Sequence, residues 1–158
     1  MRDQRTGALN VSPRFQRAVS RPRMNMLIWI ALLAGAAASA AALYGHYRVL
    51  PAWLTGPEVC QLDEGGCAVL FRTPRASLLG VPNALLGLSL YAVLAIGLLR
   101  GWAPLWLLVM TIPAVAMSAF LGSSLISRGL QCRICWTGHI ANAALATAFA
   151  MQSLITHH

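Results

Sequence analysis

Four long stretches of this chain contain no Asp, Glu, Lys or Arg: residues 24–47, 76–99, 101–127 and 134–158. Each exceeds the roughly 20 residues that carry an α-helix across about 30 Å of hydrocarbon at about 1.5 Å per residue. A backbone surrounded by lipid must satisfy its own hydrogen bonds, which leaves helices and closed barrels as spanning structures. Runs such as WIALLAGAAASAAALY and LLGLSLYAVLAIGLL are continuously apolar and lack the alternation of a barrel strand. The expectation is therefore an all-α integral membrane protein, a four-transmembrane-helix bundle. Composition agrees: the chain is 58% hydrophobic and 10% charged, against roughly 25% charged for an average soluble domain.

The formal net charge is +8, carried by twelve arginines and no lysine, and six of those arginines fall in residues 1–25. A basic cluster just ahead of a first span is a topology signal. It is not a nucleic-acid surface, because no aromatic or Gly-rich pattern is interleaved with it. The positive-inside rule puts residues 1–25 in the cytoplasm as a disordered basic tail, with Arg100 in an inner turn between helices two and three. The outer loop is then 45–80, and the stretch SRGLQC lies on the same outer side. Five arginines, Arg48, Arg72, Arg75, Arg128 and Arg133, also fall on that side. The first apolar run resembles a signal peptide too, with A-x-A options around Ala38 to Ala42. Its length before Tyr44 and its small residues Gly35 and Ser39 favour a retained helix, and later segments keep their orientation either way.

Residues 26–158 then form one four-helix membrane domain, helix one running from about Met26 to Tyr47. The outer loop holds Glu58, Asp63 and Glu64, three of the four acids, and contains VCQLDEGGC. Its second half, AVLFRTPRASLLG, reads as a short surface half-helix before helix two. Pro82 is expected in the first turn of helix two, where its missing N–H is harmless. RGWAP is an antiparallel turn, Pro113 a kink in helix three, and helix four begins at about Gln131 to Arg133.

Four cysteines are present, Cys60, Cys67, Cys132 and Cys135, and on this topology all face one oxidising compartment. Three pairings are possible, and spacing favours Cys60 with Cys67 and Cys132 with Cys135. A helix N-terminus carries about half a positive charge, and Arg128 and Arg133 add to it, so thiolate is favoured at Cys132. Cys135 lies almost one turn deeper on the same face, and His139 a further turn into the membrane, where an ionisable group is a functional candidate. Cys60 and Cys67 sit in a polar, Gly-containing segment suited to meeting a soluble partner. Two unlike couples make a relay, and its natural terminal acceptor in lipid is a quinone. The competing reading is metal handling, four thiolates holding zinc or a soft metal. No intramembrane carboxylate or Met-rich path leads onward from them. A simple structural disulfide is the remaining alternative for each pair.

The stretch CAVLFRTPRASLLGVPNALLGLSLY resembles the loop-to-helix signature of the vitamin K epoxide reductase family, through Cys67, Thr73, Ala76, Gly80, Pro82, Gly87 and Tyr91, with CRIC following at the head of the last helix. The likeness extends over about residues 26–155. It implies a four-helix bundle around a quinone, with Cys132 and Cys135 as the active pair and Cys60 and Cys67 as the shuttle pair. Cys135 would contact the quinone and Cys132 would exchange with Cys67. Bacterial-type members without a fused thioredoxin-like domain pass electrons from a soluble thioredoxin-like or DsbA-like oxidant to menaquinone or ubiquinone. That implies a multi-pass protein of the inner (plasma) membrane, its cysteines on the periplasmic or extracellular side. Two departures bear on quinone contact: His139 stands where the animal enzymes have Tyr, and Thr73 where Ser is commoner.

Overall fold

The computed structural model of the protein describes residues 13–48, 77–78, 80–127 and 132–157. Four helices account for most of them: α1 (Pro13–Tyr47), α2 (Asn83–Leu99), α3 (Pro104–Ser127) and α4 (Arg133–His157). Ahead of α2, a small antiparallel ladder pairs β1 (Ser77–Leu78) with β2 (Val81–Pro82).

Each helix runs antiparallel to its neighbours. On α1 and α2, Gly35 meets Tyr91 and Ser39 meets Gly87. On α3 and α4, Ser118 meets Asn142 and Gly122 meets His139. Asn25 near one end of α1 bonds Gln152 near the end of α4, whereas Ala38 further along α1 packs with Cys132 ahead of α4. The start of α1, the α2–α3 turn and the end of α4 therefore share one end of the bundle, and Cys132 lies at the other.

The main core is built by all four helices: Ile28 and Leu32 from α1, Tyr91 and Leu94 from α2, Leu107 from α3, Leu145 and Phe149 from α4. A second, smaller cluster of Ala38, Cys132 and Ile134 closes the opposite end. The outer surface is as apolar as the interior: Leu33, Leu99, Trp106, Phe120, Ile126, Ile140 and Leu154 are all exposed, a surface that water does not tolerate in such density. Among the described residues, two helices are long and apolar enough to cross a bilayer, Pro22–Tyr47 within α1 and Pro104–Ser127. The apolar α2 has 17 residues, and α4 interrupts its apolar run with His139, Asn142 and Gln152.

Three local features depart from expectation. Helix α1 begins at Pro13, inside the stretch 1–25 expected to be a disordered tail. Pro is harmless in a first turn, and the Arg, Gln and Ala that follow are helix formers. The end of the expected surface half-helix is instead the β1–β2 ladder, which turns through Gly80 at φ +83°, a conformation costly for residues with a Cβ. Residues 68–76 of that half-helix lie outside the described residues. Pro82 caps α2 from outside and does not occupy its first turn.

The α2–α3 turn follows from its sequence. Arg100 ends α2, Gly101 takes φ +69°, and the N–H groups of Gly101 and Trp102 return to the carbonyls of Leu98 and Gly97 at 3.2 and 2.9 Å. This is the Schellman closure, which satisfies carbonyls that a helix end leaves without partners. Trp102 folds back over Gly97, where a β-carbon would lie 2.8 Å from Trp102 Cε3 and 2.7 Å from Leu107 Cδ2.

Candidate active site

Cys132 is the capping residue of α4. Its carbonyl accepts the first helical bond, from Trp136 N at 3.0 Å, and its sulfur accepts the N–H of Cys135 at 3.4 Å. A side chain that accepts from the third helical N–H is doing what Ser or Asp does at an N-cap. A sulfur in this position carries negative charge well, because it faces the positive end of the helix dipole. The hydrogen bond from the Cys135 thiol, helped by the N–H groups of Cys135 and Ile134, holds the Cys132 thiol below its ordinary range, while burial pulls the other way. Hydrogen bonding supplies this shift, and Arg133, expected to contribute, is exposed. Arg128 lies outside the described residues.

Both Cys132 and Cys135 are free thiols in this structure. Cys132 is only 2% exposed, packed among Ala38, Ala41 and Ala42 of α1 together with Ile134 and Cys135. The alanines matter because their small side chains let α1 approach the helix start closely.

One turn beyond Cys135, His139 stands edge-on to Trp136 with ring centroids 6.1 Å apart. Its Cδ2 faces Gly122 of α3, where a β-carbon would lie 3.8 Å away. The Nε2 atom of His139 is buried and has no hydrogen-bond partner among the described residues. A buried polar atom left so costs about 1–3 kcal/mol, which makes His139 a candidate to bind a further group.

Deeper still, Tyr91 Oη donates to Asn142 Oδ1 at 2.7 Å, and Asn142 Nδ2 donates to Ser118 Oγ at 2.9 Å. The structure thus brings together three of the expected site residues, Cys132, Cys135 and His139, on the first two turns of α4. Cys60, Cys67 and Thr73 lie outside the described residues. Asn142 and Ser118 were not singled out from the sequence. The available signal was that Asn142, an amide in an apolar run, falls three residues after His139, and so close to its face of the helix.

Apolar helices packed around a C-x-x-C thiol pair that caps one of them define a membrane-type redox protein. The model of the vitamin K epoxide reductase family matches residues 26–150, and the chain belongs to that family. No curated protein and no solved structure matches the chain. Family membership makes the protein a membrane oxidoreductase of thiol–disulfide chemistry. Metal transport by the four thiolates finds no support.

Proposed function

We propose that the protein oxidises a soluble thioredoxin-like or DsbA-like dithiol protein and passes the electrons to a membrane quinone, menaquinone or ubiquinone, in support of disulfide formation. All four helices cross the inner (plasma) membrane, with the N-terminus cytoplasmic and the cysteines on the periplasmic or extracellular side. The arginine distribution supports this orientation: six lie in residues 1–25, and Arg100 sits in the turn at the end of the bundle where α1 starts. The single observation that carries the reading is the stacking of three groups on the first two turns of α4: a capping low-pKa thiol, a second thiol, and a buried imidazole nitrogen in want of a partner.

The partner's two thiols become a disulfide by exchange with a Cys60–Cys67 disulfide, which is left as two thiols. Cys67 then attacks the sulfur of Cys132 in the Cys132–Cys135 disulfide and releases Cys135. Cys60 attacks Cys67 in turn and expels Cys132, whose depressed pKa makes it a good leaving group. The Cys132–Cys135 bond reforms as two electrons and two protons leave for the quinone, which becomes a hydroquinone. The residues suit such a ligand: Cys135 would contact it and the partnerless His139 Nε2 would hydrogen-bond a ring oxygen, with Gly122 adding no side chain beside that imidazole. Thr73 is a second candidate for quinone contact.

The test is quinone-dependent oxidation of a small dithiol by purified protein. The wild type turns over, Cys135→Ala abolishes turnover, and His139→Leu raises KM for the quinone about five- to tenfold, the worth of one buried hydrogen bond. A wild-type protein that oxidises dithiol no faster with quinone than without it overturns the reading.

A further inference from the structure

We infer that Asn142 is a positioning residue for electron transfer: clasped between Tyr91 and Ser118, it fixes the rotation of α4 about its own axis and so aims Cys135 and His139 at their acceptor. This rests on the quinone-reductase reading above.

Helices in lipid gain little from hydrophobic contact with one another, so rotation about the helix axis must be set by close packing and by polar contacts. Among the described residues, α4 makes side-chain hydrogen bonds to other helices at two places: Gln152 to Asn25 at an exposed end of the bundle, and Asn142 in its interior. The Asn142 amide is held at both ends, its oxygen by Tyr91 Oη of α2 at 2.7 Å and its nitrogen by Ser118 Oγ of α3 at 2.9 Å. The Tyr91 ring is itself held against α1, where Gly35 lacks the β-carbon that would overlap the ring. All four helices therefore meet at this level, and Tyr91 is 2% exposed.

Asn142 is seven residues after Cys135 and three after His139. At about 100° and about 1.5 Å per residue it points within about 20° of Cys135 and lies roughly 10 Å deeper along the axis, and it points within about 60° of His139 and lies roughly 4.5 Å deeper than that residue. A slip of α4 by about 20° would carry side-chain atoms some 5–6 Å from the axis through on the order of 2 Å. A displacement of that size is enough to spoil a reacting geometry. The Cys132–Cys135 contact is different. It is made within a single turn by the cap itself, so it turns with the helix and keeps its geometry.

This difference separates positioning from mere stability. Tyr91→Phe removes one hydroxyl and keeps the ring; it should lower kcat/KM for a soluble quinone analogue about fivefold. In the same protein, single-turnover oxidation of a small dithiol by the oxidised Cys132–Cys135 pair should keep its wild-type rate. Asn142→Leu should lower the quinone step further, and Ser118→Ala should resemble Tyr91→Phe. Ser118→Thr, which retains a hydroxyl, should restore the wild-type rate. The inference is overturned if Tyr91→Phe and Ser118→Ala leave the quinone step unchanged, or if both half-reactions fall in parallel with thermal stability. Absence of quinone reduction by the wild type is a distinct result: it removes the functional reading, and this inference with it.

Discussion

The sulfur of Cys132 accepts the backbone N–H of Cys135 at 3.4 Å, so the residue proposed to react is also the cap of the helix that carries the second thiol. Capping and chemistry can be separated by substitution. Cys132→Ser keeps an acceptor at the cap and should unfold like the wild type while losing all dithiol oxidation. Cys132→Ala loses the acceptor as well and should be less stable by about 1 kcal/mol, measured by denaturant unfolding in detergent. Equal stability of the two variants would refute the capping role.

The same contact has a pH signature. Cys132 is held below its ordinary range chiefly by the hydrogen bond from Cys135. In a Cys60→Ser, Cys67→Ser background, the first thiolate absorbance transition should therefore fall below that of the same thiol in the unfolded chain. Adding Cys135→Ala should move that transition upward. A thiol whose folded pKa is depressed stabilises the fold above its unfolded pKa, and this contribution fades as pH drops through the folded value. The reduced protein should accordingly lose stability on acidification through the thiolate transition. A transition that ignores Cys135 would count against hydrogen bonding as the cause.

The relay predicts an uneven loss. Cys60→Ala should block oxidation of a thioredoxin-like protein while small dithiols, which can reach the α4 pair unaided, still turn over with quinone. Equal loss with both substrates would sink the shuttle role. In a Cys67→Ala variant, Cys60 is left without its partner, and the mixed disulfide it traps identifies the soluble protein.

Gly35 and Gly138 are both helical glycines with opposite prospects. A β-carbon at Gly35 would overlap the ring of Tyr91, whereas at Gly138 it would meet nothing within 4 Å. Gly35→Ala should destabilise by about 1–3 kcal/mol through overpacking, and Gly138→Ala should be neutral or stabilising by up to about 1 kcal/mol through helix propensity. Thermal unfolding of the two variants side by side decides it.

The charge-free gaps located all four helices, because an uninterrupted apolar run of that length is best satisfied by a helix. They did not locate the start of α1, since absence of charge marks only the apolar part of a helix, and α1 begins ahead of it, at Pro13. The C-x-x-C pair was legible as the head of α4 because its spacing and the apolar run behind it are local. The β1–β2 ladder was not, as two-residue strands carry no periodicity. The Tyr91–Asn142–Ser118 clasp joins residues 51 and 24 positions apart. It depends on which helix faces meet, and no local pattern reports that.

The corner closed by Gly97, Gly101 and Trp102 leaves the link between α2 and α3 no slack: the indole lies across a position where even a methyl group would collide. Beyond that corner, α2 leans chiefly on α1 and α3 chiefly on α4. A parting of α2 from α3 towards the rim around Cys132 would leave this corner intact, with each helix still backed by its other neighbour.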